Sequence, residues 1–145
     1  MFEGRIPMSL LLKITFALCV CLGASVTAMA GDFDGSKKLL CAPSDIFECS
    51  PTADCRRVTA EAANIPRFIQ INVKKKQLSG MVGEGETVTT NIQNVSKEDG
   101  KLTLQGAEGA RAWSVVIDKK TGLMSASASD ELAGFILFGG CQISG

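Results

Sequence analysis

Carboxylates are the side chains that could carry catalysis in this sequence, because its 145 residues include no histidine. Histidine is the commonest general base, and without it neither a Ser-His-Asp triad nor a Cys-His pair can form. Three close pairs of acids remain: Asp32 and Asp34, Glu84 and Glu86, Glu98 and Asp99. Each pair lies in a segment with turn or tail composition, where acids are usually solvated surface charges. We therefore expect a protein that is not an enzyme.

Metal and phosphate sites are also weakly supported. Asp32 and Asp34 precede a glycine as in a calcium loop, but the twelfth position holds Pro43 in place of the bidentate glutamate. The segment 83–86 contains two glycines without the following lysine of a phosphate-binding loop. We predict neither a metal ion nor an organic cofactor.

The first thirty residues have the composition of a secretory signal peptide. Arg5 and Lys13 provide the basic start, and the apolar run 14–23 is too short for a convincing membrane span of about 20 residues. Cleavage is predicted after Ala30, which leaves a single domain over residues 31–145. A retained anchor and a lipoprotein are the alternatives, but Val20 stands before Cys21, where a lipoprotein needs a small residue. We expect a periplasmic or secreted protein that meets the membrane only during export.

Four of the six cysteines lie beyond the predicted cleavage point: Cys41, Cys49, Cys55 and Cys141. A zinc site is the alternative to disulfides, but the sequence lacks histidine and any C-x-x-C spacing. In an exported chain, an even number of cysteines indicates disulfides, here with three possible connectivities. We favour Cys49 with Cys55 across a short turn, and Cys41 with Cys141 joining the two ends of the domain.

The charge of the chain indicates no polyanionic partner. Lysine plus arginine and aspartate plus glutamate number 15 each. A near-neutral chain lacks the basic surface expected of a nucleic-acid-binding domain. Arg67 and Arg111 flank apolar strands, and a guanidinium there can contact a ligand. A salt bridge at a strand end, or packing of Arg111 beside Trp113, is the simpler interpretation.

The segment 111–124 predicts a hairpin around which the domain is organised. Trp113, Val115 and Ile117 alternate on one face, and residues 119–122 have turn composition. Trp113 is the only tryptophan, and we predict that it is a core residue. The next strand alternates serine and alanine over 125–129, so its small side chains would leave room for the indole ring.

Further strand patterns recur every 8 to 12 residues or so from residue 67 onward. They predict an all-β fold of seven or eight strands, an antiparallel meander that closes into a barrel or a sandwich. One short helix is predicted over 60–63, capped by Thr59 and ended by Asn64 and Pro66.

The chain resembles an uncharacterised family of small exported bacterial proteins, a domain of unknown function. The residues that carry the resemblance are these: Gly31 to Ser36, Leu39 to Cys41, Cys55, Asn64 to Phe68, Trp113 and Ser114, Ile117 and Asp118, Thr121 and Gly122, and Phe138 to Cys141. The resemblance covers nearly all of residues 31–145. It implies export and attaches no activity.

Three functions are compatible with these features. The first is a non-enzymatic exported β domain that binds a small apolar ligand or a periplasmic protein. The second is an inhibitor of a cell-wall hydrolase such as lysozyme, which a protruding loop near Arg111 would favour. The third is a carboxylate-based hydrolase, which two facing acids in a pocket would favour. An open apolar mouth beside Trp113 would favour ligand binding.

Overall fold

A computed structural model describes residues 32–144, which form nine antiparallel strands and no helix. The strands are β1 Lys38–Ser50, β2 Ala53–Val58, β3 Ile69–Asn72, β4 Gln77–Val82, β5 Glu86–Ser96, β6 Lys101–Glu108, β7 Arg111–Asp118, β8 Leu123–Ser129 and β9 Gly134–Ser144. The predicted signal peptide and its cleavage at Ala30 lie outside the described residues. Within them, no helix has the length and apolar character needed to cross a membrane.

Eight of the strands close into a barrel, because β1 pairs with strands on both of its edges. Strands β3 to β9 follow one another as neighbours, and β9 pairs with β1 along nearly the whole length of β1. On its other edge, β1 pairs with β3 near its start and with β2 near its end. The all-β prediction is confirmed as a barrel, with β2 as a ninth strand outside the closure.

Strand β1 runs through Pro43, although proline is disfavoured inside a strand. Its pairing with β9 shifts by one residue between Pro43 and Asp45, which is the signature of a β-bulge. A bulge tolerates proline and reverses which positions face inward. The buried residues are therefore Leu39 and Cys41 before the bulge and Ile46 after it.

The short helix predicted over 60–63 is a single turn instead. Thr59 begins this turn as the sequence indicates: its Oγ1 accepts from the amide of Ala62 at 3.2 Å and its carbonyl from Ala63 at 3.1 Å. Asn64 then takes a left-handed conformation with φ of 51°, and the turn cannot propagate. Ala63 is buried against Ile46, Phe135 and Leu137, so the turn packs on the barrel rather than extending as a helix.

The core fills one end of the barrel, which we call the closed end. Its fully buried side chains alternate along the strands and meet in the interior: Leu39, Cys41, Ile71, Ile92, Leu102, Leu104 and Ile117. The segment before β1 covers this end, where the amide of Phe33 donates to the carbonyl of Lys119 at 3.0 Å. Gly35 packs closely on Val73, because a Cβ atom added to Gly35 would lie 2.6 Å from Cγ2 of Val73.

Two disulfides hold the barrel, and they join the pairs that the sequence favours. Cys41 and Cys141 face each other across β1 and β9, the seam at which the barrel closes. Cys49 and Cys55 link the end of β1 to β2, which otherwise pairs with β1 alone. One disulfide therefore fastens the barrel and the other fastens the additional strand.

The turn between β7 and β8 is organised by Asp118 and gives a testable pH dependence. Its carboxylate pairs with Lys101 and accepts from Thr121, from the amide at 2.8 Å and from Oγ1 at 2.9 Å. These bonds, first that from Lys101, hold the pKa of Asp118 well below its ordinary value of 3.8. Because folding lowers this pKa, the ionised carboxylate of Asp118 stabilises the folded state at pH values above 3.8. This contribution is lost as the pH falls below 3.8.

We expect Asp118→Asn to lower the urea midpoint at pH 7, and the difference from the unmodified protein to shrink as the pH falls below 3.8. Asp54→Asn is the matched control, because Asp54 is exposed and its side chain makes no hydrogen bond within residues 32–144. A difference for Asp118→Asn that persists unchanged at pH 1.5 would contradict this account.

Candidate functional site

A cavity of about 500 Å³ occupies the other end of the barrel, which we call the open end. The turn between β4 and β5, the turn between β6 and β7, and the loop between β8 and β9 lie at this end. The segment 59–68 contributes Asn64, Ile65 and Pro66 to the cavity wall. The barrel interior is therefore filled at the closed end and open at the other.

The walls of the cavity are mainly apolar. Strands β3, β4, β7 and β9 contribute Ile69, Leu78, Val115 and Leu137, and β8 contributes Ala126 and Ala128. Along β8 these alanines alternate with serines, of which Ser127 also contributes to the lining. Because an alanine fills little of the interior, the small residues of β8 leave the space that forms the cavity.

Trp113 forms one wall of this cavity and also packs against the core. Its indole ring leans across β6, where a Cβ on Gly106 would lie 2.7 Å from Cε2. The ring nitrogen Nε1 reaches β5 and donates to Thr90 Oγ1 at 3.3 Å. The glycine on β6, rather than the small residues of β8, thus makes room for the ring.

Arg111 lies at the mouth of the cavity and is held on two sides. Its Nε and Nη2 donate to Asp130 Oδ2 at 3.0 and 2.8 Å, and its guanidinium carbon lies 5.0 Å from the centre of the Phe135 ring. The expected salt bridge is therefore present, and the neighbouring ring is Phe135 rather than Trp113. Arg67 instead pairs with Glu61 on the surface and does not line the cavity.

Asp130 ties the loop between β8 and β9 to the mouth. Its Oδ1 accepts from the amides of Leu132 and Ala133, both at 2.9 Å, while Oδ2 binds Arg111. These bonds, with the one from Arg111 the largest influence, lower the pKa of the Asp130 carboxyl from its ordinary 3.8. Asp130 is therefore ionised at neutral pH, and both of its carboxylate oxygens already accept hydrogen bonds.

Glu108 and Glu131 complete the charged groups of the mouth. Both line the cavity and are exposed, and neither forms an ion pair or a side-chain hydrogen bond within the described part of the chain. Sequence reasoning did not single out Glu108, Asp130 or Glu131. No spacing in the sequence could have grouped Glu108 with Asp130 and Glu131. The three residues come together only because β6, β7 and β8 pair.

None of the three acid pairs considered from the sequence lines this cavity. Asp34, for example, lies at the closed end, accepts from the amide of Ser36 at 2.7 Å and pairs with Lys97 at 3.8 Å. Among residues 32–144, no group of three or more histidine, cysteine or acidic side chains is arranged to hold a metal ion.

Comparison of the chain with models of known protein families and with curated protein sequences finds no match. Function is therefore inferred from the cavity and its charged mouth.

Proposed function

We propose that this protein is a non-enzymatic exported β-barrel that binds a small apolar molecule in the cavity beside Trp113. The observation that carries the proposal is an open space of about 500 Å³ with mainly apolar walls. Sites for small molecules are typically concave, about 300 to 1,000 Å³ in volume, and lined by apolar and aromatic side chains with few polar groups. The cavity has this size and this lining.

The construction of the walls supports a preformed site. Strands rather than loops carry most of the apolar lining, and the disulfide between Cys41 and Cys141 joins the barrel at its seam. The indole ring of Trp113 packs closely on Gly106, and its Nε1 donates a hydrogen bond to Thr90. A site that needs little ordering when ligand arrives retains more of the contact energy as affinity.

Export is the second part of the proposal. Two disulfides are consistent with an oxidising compartment, because cytosolic thiols are kept reduced. The predicted signal peptide of residues 1–30 would deliver the domain to the periplasm or to the medium.

The two alternative functions have less support. An inhibitor of a cell-wall hydrolase would present a protruding loop near Arg111, but only Gly109 and Ala110 separate β6 from β7 there, and Arg111 is held against Phe135. A hydrolase would need an acid that can donate a proton near neutral pH. Asp130 is a poor candidate, because its pKa is lowered by Arg111. A protein partner on the outer surface would leave the cavity unexplained.

Ligand binding can be measured directly through Trp113. The sequence contains one tryptophan and no tyrosine, so intrinsic fluorescence excited at the indole band reports on one wall of the cavity. We expect 1-decanol, an apolar chain with a small neutral end, to change this emission saturably. It should also raise the unfolding temperature, because a ligand at a hundred times its Kd stabilises the folded state by about 2.7 kcal/mol.

Isothermal titration calorimetry provides an independent reading of the same binding. A linear, non-saturating fluorescence response, together with an unchanged unfolding temperature, would refute the proposed function.

A further inference from the structure

We infer that the cavity selects apolar ligands that carry a positively charged end and discriminates against carboxylates such as fatty acids. This inference rests on the proposed function and specifies the ligand class that the same cavity takes. It follows from the charges at the mouth and from their distribution over the whole barrel.

The lysines of the barrel are confined to one end, where they outnumber the acids Asp34, Glu98, Asp99 and Asp118. Every lysine of residues 32–144 lies at the closed end, in or beside the turns there: Lys37, Lys38, Lys74, Lys75, Lys76, Lys97, Lys101, Lys119 and Lys120. The turns and the loop of the open end hold five acids within or next to them: Glu84, Glu86, Glu108, Asp130 and Glu131. The segment 59–68 adds the paired charges of Glu61 and Arg67, and the hairpin of β1 and β2 adds the exposed Asp54 and two ion pairs, Arg56 with Glu48 and Arg57 with Asp45. The near-zero net charge therefore conceals a negative open end.

Among residues 32–144, Arg111 is the one cation that lines the cavity, and it is already engaged. Arg111 directs Nε and Nη2 to Asp130, and Phe135 lies beside its guanidinium. A carboxylate ligand that took these two donors would have to displace Asp130, which also accepts two backbone amides in its own loop. Displacement would exchange one charge-assisted pair for another and leave the half-buried Asp130 carboxylate without Arg111, so Arg111 gives a carboxylate ligand little net attraction.

The two acids that remain are Glu108 and Glu131, which line the cavity without a partner among the described residues. A carboxylate that enters the cavity would lose hydration and meet two like charges. An ammonium would meet two carboxylates while its chain contacts the apolar walls. Electrostatic complementarity of this kind decides between ligands even where it adds little absolute affinity.

Three probes that share one chain and differ only in their end group test the inference: decylamine, 1-decanol and decanoate. At pH 7.5 and low salt the amine is protonated and the acid is ionised. We expect decylammonium to bind roughly tenfold or more tightly than decanoate, with 1-decanol between them. The difference should diminish as sodium chloride is added, because exposed charges are screened.

The double variant Glu108→Gln with Glu131→Gln keeps the shape of both side chains and removes their charge. In this variant the preference for decylammonium over decanoate should fall to about twofold or less, while 1-decanol binds as before. The matched control is Glu98→Gln with Asp99→Asn at the closed end, which should leave the preference unchanged.

The outcomes separate this inference from the proposed function. If 1-decanol binds and decanoate binds as tightly as decylammonium, the charge selectivity is wrong and ligand binding stands. If the control variant loses the preference as fully as the mouth variant, the assignment to Glu108 and Glu131 is wrong. If none of the three probes binds, both the inference and the proposed function fail.

Discussion

Replacing Cys41 and Cys141 together with alanine is expected to lower the free energy of unfolding by about 2 to 5 kcal/mol. The two residues are 100 positions apart and face each other across the seam of the barrel. In the chain-entropy description, a loop of this length restricts the unfolded chain by up to about 4.7 kcal/mol. Cys41 is also fully buried in the core, so its removal leaves space among Leu39, Ile71 and their neighbours.

The second disulfide provides the comparison for this experiment. Cys49 and Cys55 are six positions apart and fasten β2, which lies outside the closed barrel. Their double replacement by alanine should cost less, because a short loop restricts the unfolded chain less. Urea unfolding followed by circular dichroism measures both. If the Cys41 and Cys141 variant is as stable as the Cys49 and Cys55 variant, the seam does not depend on its disulfide as we describe.

Filling the cavity should weaken ligand binding without unfolding the barrel. Ala128 lines the cavity and lies opposite Trp113 in the pairing of β7 and β8. Ala128→Phe places a ring in space that the ligand would occupy. We expect 1-decanol to bind at least about tenfold more weakly, which corresponds to about 1.4 kcal/mol. The unfolding temperature should change little, because the ring enters an existing space and not a packed core.

Ala112→Phe is the matched control for this variant. Ala112 lies on β7, next to the strand that carries Ala128, and is exposed. The same substitution there adds a ring outside the barrel and should leave the affinity for 1-decanol unchanged. Isothermal titration calorimetry with 1-decanol measures the affinity of both variants. Equal affinities in both would show that the ligand does not occupy the cavity.

The parts of the fold that could be predicted from the sequence are those set by local pattern. The alternation from Arg111 to Asp118 and the following turn gave β7 and the start of β8. The positions of Cys41 and Cys141 suggested that the ends of the chain meet, and they do so at the seam. Local pattern was less reliable at Asn64, where a capped turn ended before it became a helix.

The cavity could not be predicted from the sequence, because the small residues of β8 are compatible with two arrangements. The alanines of β8 would fit either a ring packed over them or an empty space beside them. The choice depends on Gly106, which comes seven residues before Trp113 and becomes its partner only when β6 and β7 pair. The charged mouth could not be predicted from the sequence either. Glu108, Arg111 and Asp130 come together only through the register of three strands.

The pairing of the first strand with the last has a consequence for how the protein is made. Strand β1 pairs with β9 from Lys38 opposite Ser144 to Cys49 opposite Gly134, so the barrel cannot close before β9 has been synthesised. Contacts between distant parts of a chain form slowly, and an unpaired strand edge invites aggregation in the meantime. The edge of β1 that pairs with β9 has no partner until β9 has been synthesised. Closure of the seam and oxidation of Cys41 with Cys141 therefore both require β9.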